Sequence, residues 1–154
     1  MSRAQSDAMA RRIQAHFALH GFGQWVLERR EQPGLIGALG LQQVGFEAAF
    51  TPAVEIGWRL QRAHWRQGYA LEAAEAVVAY AYEAAQSHEG LALTVTANLP
   101  SQGLMQRLGM QHQVEQDFQH PLLPVGHPLR QHVLYRLTQA SWRVQRKSAL
   151  PTRR

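Results

Sequence analysis

The sequence contains no cysteine. A disulfide scaffold is therefore excluded, and so are thiolate metal sites and enzymes that use a cysteine nucleophile. The missing cysteines do not select a compartment, although a reducing cytoplasm is the simplest setting for such a chain. Histidines are frequent, but their spacing matches no recognised ligand pattern, so we expect no bound metal.

Long apolar runs are also missing. No run approaches the ~20 residues that a helix needs to cross a bilayer, and the N-terminus lacks the apolar core of a secretory signal. Residues 2–20 have the period of an amphipathic helix. Their arginines are compatible with an organelle transit peptide, but Asp7 and the unbroken helical period favour an ordinary surface helix. We therefore expect a cytoplasmic protein without a membrane partner.

Acidic residues are scarcer than basic ones, 11 against 16, which gives a formal net charge of +5. Basic residues crowd the end of the chain, at Arg143, Arg146, Lys147, Arg153 and Arg154. We predict a single domain over residues 1–138 and a solvated basic C-terminal tail over residues 139–154. A nucleic-acid-binding arm is the alternative interpretation of the tail, and we do not expect nucleic acid as a partner.

Hydrophobic periodicity predicts an α+β fold. The predicted helices cover residues 2–20, 68–86 and 101–108, and the predicted strands cover residues 22–30, 35–41, 54–60, 91–97, 111–118 and 131–138. Gln32-Pro33-Gly34 predicts a turn that joins the first two strands as an antiparallel hairpin. The strand–helix–strand order over residues 54–97 predicts a parallel crossover, and the prolines of residues 119–129 predict a loop.

Residues 54–75 are the most informative segment. A strand, V-E-I-G-W-R-L, is followed by a turn and an alanine-rich helix, H-W-R-Q-G-Y-A-L-E-A-A. Gly68 stands where the turn passes into the helix. The first N–H groups of a helix lack intrahelical partners and carry partial positive charge. The turn therefore indicates a site for a phosphate or pyrophosphate.

This segment resembles the acetyl-CoA signature of the GNAT superfamily of N-acetyltransferases, and most of all the branch of ribosomal-protein N-terminal (Rim-type) acetyltransferases. T-A-N-L-P-S-Q-G-L-M-Q-R-L-G-M (96–110) is similar to a second motif of that branch. The segment D-F-Q-H-P-L-L-P-V-G-H-P-L-R-Q-H-V-L-Y-R-L (117–137) is similar to one bacterial group within it. The resemblance covers roughly residues 2–138 and implies a mixed, mostly antiparallel sheet flanked by helices.

The resemblance also implies a set of residues that bind acetyl-CoA as cosubstrate. Those facing the pantetheine arm would be Gly57, Trp58, Arg59 and Leu60, on a strand splayed from its neighbour by a bulge. Those surrounding the pyrophosphate would be Arg66, Gln67, Gly68, Tyr69 and Ala70. Those flanking the far end of the arm would be Asn98, Ser101 and Met105.

Two departures from the family pattern stand out. The branch usually has glycine at the position of Arg66, so an arginine there would narrow the turn if the position requires a positive φ. The chain also begins without the strand and helix that normally precede the equivalent of residues 2–20. An uncovered sheet edge would invite association, and a homodimer through that edge is one expectation.

Three residues are candidates for the chemistry. Glu55, on the strand beside the predicted splay, is the candidate general base, with a solvated or salt-bridged glutamate as the alternative. Ser101 is the candidate proton donor to the departing thiolate, and a helix N-cap is the competing interpretation. Tyr135 is a second candidate acid, although a tyrosine on an alternating strand more often belongs to the core. A backbone N–H of strand 54–60 would stabilise the oxyanion.

Two functions follow from this pattern. The first is an acetyl-CoA-dependent N-acetyltransferase that transfers acetyl directly to a primary amine, either a protein N-terminus or a small amine. The second is a catalytically weak or inactive relative that binds acyl-CoA or docks a partner.

Overall fold

The structure, a computed structural model, describes residues 2–149. Its helices and strands follow one another in this order: α1 (Arg3–His20), β1 (Gln24–Glu28), β2 (Leu35–Gln43), β3 (Val54–Leu60), α2 (Tyr69–Glu83), β4 (Glu89–Val95), α3 (Leu99–Arg107), β5 (Gln111–His112), β6 (Phe118–Gln119), β7 (Gln131–Thr138) and α4 (Gln139–Ala149). Within the described residues, no helix is both long and apolar enough to traverse a lipid bilayer.

A seven-stranded sheet organises the described part of the chain, in the order β1-β2-β3-β4-β7-β5, with β6 also paired to β7. The β1–β2 and β2–β3 pairs are antiparallel. The β3–β4 pair is parallel and the β4–β7 pair is antiparallel. The predicted hairpin, the parallel crossover and the mixed, mostly antiparallel sheet are therefore confirmed.

Helix α1 begins with a reciprocal cap, in which the Ser2 hydroxyl accepts the Gln5 N–H and the Gln5 side chain accepts the Ser2 N–H. It ends at Gly21, whose φ of 75° reverses the chain. Leu19, in the last turn of the helix, does not belong to its packed face, since this side chain is 78% exposed. Phe17 instead anchors the helix, with its ring 5.4 Å from that of Trp25.

Helix α2 packs closely on the sheet because its buried face is built from small and β-branched residues. Ala74, Val78 and Ala81 are at most 1% exposed, and they join a core that includes Leu41 and Ile56 of the sheet. Small side chains let a helix axis approach a strand closely, which explains the alanine-rich composition of this segment.

The predicted strand 111–118 is wrong in its middle. Two short strands, β5 and β6, flank a 3-10 turn at Val114–Gln116. The cause is Asp117, whose carboxylate accepts the Leu134 N–H of β7 at 3.2 Å and the His112 side chain at 2.8 Å. A side chain thus takes the place of backbone pairing at this point of the sheet.

The prediction of a solvated tail is wrong for residues 139–149, which form α4. Trp142 is buried, with its ring 5.3 Å from that of Tyr82. Arg146 pairs with Glu83 at 2.8 Å and lies over the Trp142 ring. Trp142 gives α4 an apolar contact with the core, which the basic composition of this segment did not indicate. Residues 150–154, the rest of the predicted tail, lie outside the described residues.

Candidate functional site

A cleft opens where β3 and β4 separate. Among the described residues, these two strands pair at one position, Glu55 beside Leu91. Beyond it they diverge around a cleft of about 500 Å³. Because the opening passes through the sheet, side chains from both of its faces contribute to the lining. The predicted site residues that line it are Glu55, Gly57, Trp58, Arg59, Leu60, Asn98, Ser101 and Met105.

One backbone edge of β3 is left open by this divergence. At the ends of the β2–β3 ladder, the Gln61 N–H donates to the Ile36 carbonyl at 2.8 Å and the Val44 N–H donates to the Ala53 carbonyl at 3.0 Å. Alternate residues of an antiparallel strand bond to the same neighbour. The odd-numbered residues of β3 therefore bond to β2, and the even-numbered ones, including Trp58, direct their N–H and C=O groups toward the cleft.

The bulge that the resemblance implied in β3 is not found. Within β2 and β3, the register continues without a shift from Gly37–Leu60 to Gln43–Val54. The opening arises between two regular strands, because β4 leaves β3 after Glu55. An extended ligand arm could pair with the free edge as an added strand would.

The turn before α2 presents a row of free backbone N–H groups. Arg66 has a φ of 59° and Gly68 a φ of 87°, so two left-handed residues flank Gln67. Within residues 2–149, the N–H groups of residues 66–70 donate to no protein acceptor. Consecutive N–H groups in such a turn form an anion-binding concavity, and the N-terminus of α2 adds its partial positive charge. The turn lies outside the lining of the cleft.

Arg66 therefore adopts the positive φ that a glycine would adopt more readily. The left-handed region costs a non-glycine residue roughly 1–2 kcal/mol. At Gly68, two residues further along the turn, an added Cβ would meet no atom within 4 Å. The turn therefore favours glycine at this position because of its left-handed backbone conformation and not because of limited space.

Glu55 is held at the base of the cleft by a chain of side-chain amides. The Gln42 amide donates to Glu55 Oε2 at 2.9 Å, and the Gln24 amide donates to Gln42 Oε1 at 3.2 Å. Burial raises the pKa of the Glu55 carboxyl above its ordinary value, and the hydrogen bond from Gln42 lowers it in part. The second carboxylate oxygen is left to face the cleft, where it can accept a proton.

Ser101 is not the N-cap of α3, contrary to the competing interpretation of this residue. The helix begins at Leu99, and Asn98 caps it by accepting the Ser101 N–H at 3.3 Å. The Trp58 indole N–H donates to Ser101 Oγ at 3.3 Å. With its oxygen accepting from Trp58, the serine can direct its own hydrogen to another acceptor in the cleft.

Tyr135 is not brought to the cleft. Its side chain is 2% exposed, its ring is stacked on His112 at 4.8 Å, and its hydroxyl donates to the Gln102 side chain at 3.4 Å. The alternation of β7 turns this residue toward the helices, because it pairs with the buried Ala92. Tyr135 is a core residue in this fold.

Several residues that line the cleft were not predicted from the sequence, including Met9, Gln24, Gln42 and Leu93. Gln42 lies directly opposite Glu55 in the β2–β3 register, so a complete hairpin alignment could have found it. Met9 reaches the site from α1, and no local pattern indicates that approach. Within residues 2–149, no group of three or more histidine or carboxylate side chains is arranged to hold a metal ion.

Comparisons with known proteins agree with this geometry. Residues 1–111 match the family model described as acetyltransferase (GNAT) domain. The chain is 33% identical over 88 residues to the uncharacterized N-acetyltransferase YoaA of Bacillus subtilis, covering 57% of this chain and 48% of YoaA. The chain spans about half the length of the curated relatives it matches.

Two solved structures share the fold. An acetyltransferase from Agrobacterium tumefaciens superposes with a TM-score of 0.68 at 24% identity, covering 90% of this chain and 74% of the other. Mycobacterium smegmatis RimJ, solved in complex with CoA-disulfide, gives a TM-score of 0.69 at 21% identity, covering 89% of this chain and 62% of RimJ.

Proposed function

Since the chain belongs to the GNAT family of acetyltransferases, we propose that it transfers acetyl directly from acetyl-CoA to a primary amine. The observation that carries the proposal is the cleft between β3 and β4. It brings together an open strand edge, the carboxylate of Glu55 and the hydroxyl of Ser101. Acetyl-CoA is the cosubstrate of this family, and it supplies an activated thioester.

The described residues fit that cosubstrate. The free N–H groups of residues 66–70 are suited to a pyrophosphate, and the outward N–H and C=O groups of Trp58 are suited to an amide-bearing arm. Arg66 adds positive charge at the turn. We assign the pantetheine contacts to Gly57, Trp58, Arg59 and Leu60. We assign the pyrophosphate contacts to Arg66, Gln67, Gly68, Tyr69 and Ala70. The far end of the arm would meet Asn98, Ser101 and Met105.

Glu55 would act as the general base. An acceptor amine must lose a proton to attack, and an α-amino group, with a pKa of about 7.7–8.0, needs less help than a lysine amine near 10.4. The raised pKa of the Glu55 carboxyl makes it a better proton acceptor than an ordinary surface glutamate. Gln42 holds one carboxylate oxygen and leaves the other free for the amine.

Two further groups would complete the transfer. As the amine forms its bond to the carbonyl carbon, the Trp58 backbone N–H donates to the developing oxyanion. As the carbon–sulfur bond breaks, the Ser101 hydroxyl donates its proton to the departing sulfur. The proton that Glu55 removes from the amine is then passed through water to the Ser101 oxygen, which restores both side chains, so the reaction balances without an acyl-enzyme.

We further propose that the protein belongs to the Rim-type branch of the family. The motif at residues 96–110, which is similar to a motif of that branch, supports this proposal. A protein N-terminus and a small amine are both compatible with a carboxylate base whose pKa is raised by burial. Assays on peptides with free N-termini and on small amines separate the two acceptor classes.

Calorimetry with acetyl-CoA and a thiol-release assay test the proposal together. We expect the wild-type protein to bind acetyl-CoA and to release thiol only when an amine is present. The Glu55→Gln variant should still bind acetyl-CoA but should lose most of the thiol release. Binding without release for any amine would instead support an acyl-CoA-binding protein. The absence of binding at millimolar acetyl-CoA would refute both functions.

A further inference from the structure

Two amide side chains cross the sheet on the face that carries Glu55. Gln42 of β2 lies directly opposite Glu55 in the β2–β3 register. Gln24 of β1 pairs with Gly40, so it lies diagonally beside Gln42. The Gln24 amide donates to Gln42 Oε1 at 3.2 Å, and the Gln42 amide donates to Glu55 Oε2 at 2.9 Å. We call Gln24 and Gln42 the amide pair.

Two glycines give Gln24 the room to reach its neighbour. Gly40 and Gly57 lie opposite each other on this face of the sheet. A Cβ added at Gly57 would lie 3.8 Å from Gln24 Nε2, so the Gln24 side chain passes over the glycine. Because no side chain stands at either position, a residue of the edge strand can contact a side chain of the next strand beside the proposed base.

The chemistry of the three groups fixes the direction of these hydrogen bonds. An ionised carboxylate can only accept, so Gln42 must turn its NH₂ group toward Glu55. Its carbonyl oxygen then faces Gln24, which must donate in turn. If the Gln42 amide rotated by half a turn, its oxygen would face the carboxylate and repel it. Gln24 therefore keeps Gln42 in the orientation that donates to Glu55.

His16 of α1 joins the strand ends next to the amide pair. Its Nε2 accepts the Gln43 N–H at 3.0 Å, and its Nδ1 donates to the Phe22 carbonyl at 2.8 Å. Because a backbone N–H can only donate, Nε2 carries no hydrogen in this arrangement. The imidazole thereby continues the β1–β2 ladder past the bond from the Leu41 N–H to the Gly23 carbonyl. The backbone beside both amides is held in register by this ring.

Glu55 is bound by a neutral donor and not by a cation. Within the described part of the chain, Glu55 takes part in no ion pair. Among the described residues that line the cleft, Arg59 carries the other charge, and it stands four residues along β3, or about 13 Å of extended strand. Glu47, in the loop after β2, is exposed and outside this lining.

A neutral donor suits a base. A cation in contact would lower the pKa of the carboxyl strongly and make it a poor proton acceptor, whereas an amide orients the carboxylate with a smaller effect. Burial raises the pKa of the Glu55 carboxyl by more than the hydrogen bond from Gln42 lowers it. The carboxylate is thus oriented and still basic.

We propose that Gln24 and Gln42 are positioning residues for the acetyl transfer: Gln24 fixes the orientation of the Gln42 amide, and Gln42 holds Glu55 with one oxygen free for the acceptor amine. This inference rests on the proposed function, because it assigns roles at the same site. The proton from the amine enters at the oxygen that Gln42 does not bind, so neither amide has to rotate during the reaction.

The first test is a titration of the full chain with ¹³C-labelled glutamate side chains, followed by NMR. The signal of Glu55 is the one that disappears in Glu55→Gln. Gln42→Met keeps the side-chain length and removes the donor, so it should raise the pKa of Glu55 above the wild-type value. Gln42→Lys should lower the pKa of Glu55, because a nearby cation favours the carboxylate. The acidic limb of the kcat/KM profile should move to higher pH in the first variant and to lower pH in the second.

The second test asks whether Gln24 acts through Gln42. On the alkaline plateau, Gln42→Met should lower kcat roughly two- to tenfold, the worth of one hydrogen bond, and leave the Kd of acetyl-CoA unchanged. Gln24→Met should lower kcat less, and it should have no further effect when Gln42 is already methionine. Gln43→Met is the matched control, since Gln43 is on the same strand, its side chain is on the opposite face and it lies outside the cleft lining. It should change neither the pKa of Glu55 nor kcat.

The NMR titration needs no turnover, so the outcomes separate this inference from the proposed function. An unchanged pKa of Glu55 in both Gln42 variants would overturn the inference, and so would an equal effect of Gln24→Met with and without Gln42. A chain that gives the expected titrations and releases no thiol with any amine would refute the proposed function alone.

Discussion

Gly68→Ala tests the turn to which we assign the pyrophosphate contacts. Gly68 has a φ of 87°, and an added Cβ would meet no atom within 4 Å, so the substitution perturbs the backbone conformation alone. The left-handed region costs an alanine roughly 1–2 kcal/mol. For a chain of this size each kcal/mol moves the melting temperature by about 2–4 °C, so we expect Tm to fall by about 2–8 °C.

The same substitution should weaken acetyl-CoA binding. If the alanine relaxes out of the left-handed region, the N–H groups around it rotate away from a common point. Loss of one hydrogen bond to a charged group is worth about 1.5–3 kcal/mol, or roughly ten- to a hundredfold in Kd. Thermal unfolding measures the first effect, and calorimetry with acetyl-CoA measures the second.

Gly103→Ala is the matched control for Gly68→Ala. Gly103 lies inside α3, where an added Cβ also meets nothing within 4 Å. An alanine in a helix interior should stabilise the protein by roughly 0.5–1 kcal/mol and leave acetyl-CoA binding unchanged. If Gly68→Ala proved as stable as Gly103→Ala and bound acetyl-CoA like wild type, the reasoning about the turn would be refuted.

Three other substitutions probe the site and its support. Arg66→Gly should raise the free energy of unfolding by up to about 1 kcal/mol, because it relieves a left-handed arginine. It should also weaken acetyl-CoA binding and flatten its salt dependence; tighter binding would contradict the assigned contact. Glu55→Gln should be more stable than wild type at pH 7. Since burial raises the folded-state pKa, wild type loses stability as pH rises above about 4.5 through that pKa. The difference should vanish below pH 4.5 in urea titrations, and a pH-independent difference would count against burial as the cause. Trp142→Ala should cost roughly 3–5 kcal/mol in the same titrations, whereas a change near zero would mean that α4 contributes no packing.

Much of the cleft could be predicted because its determinants are local. Alternation over residues 54–60 identifies β3 and its faces, and Gly68 marks the start of α2 from its place between a strand and an alanine-rich stretch. These signals extend over a few residues each. The open edge of β3 was expected only from the family resemblance, because a parallel crossover predicts that β4 lies beside β3 and does not show that the two strands diverge after Glu55.

The remainder of the site depends on contacts between distant residues. Ser101 looked like an N-cap because it follows Pro100, yet Asn98 takes that role and frees Ser101 to meet Trp58, which is 43 positions away in sequence. Tyr135 could not be excluded from the site until the β4–β7 register turned it toward Ala92. Likewise, α4 is anchored by the contact of Trp142 with Tyr82, a distant residue, and the basic composition of the helix does not predict that contact.

The free groups of β3 and of the turn carry a consequence for stability. Backbone N–H and C=O groups are normally paired when they leave water, and those left unpaired are tolerated where solvent or a ligand satisfies them. Trp58 and residues 66–70 have no such protein partner among residues 2–149. A ligand that pairs with these groups binds the folded chain and not the unfolded chain, because the N–H groups are aligned only when β3, the turn and α2 are in place. Acetyl-CoA would then stabilise the folded protein by mass action. The open edge of β3, which leaves backbone groups unpaired within the protein, would give the site its specificity for an extended, phosphate-bearing ligand.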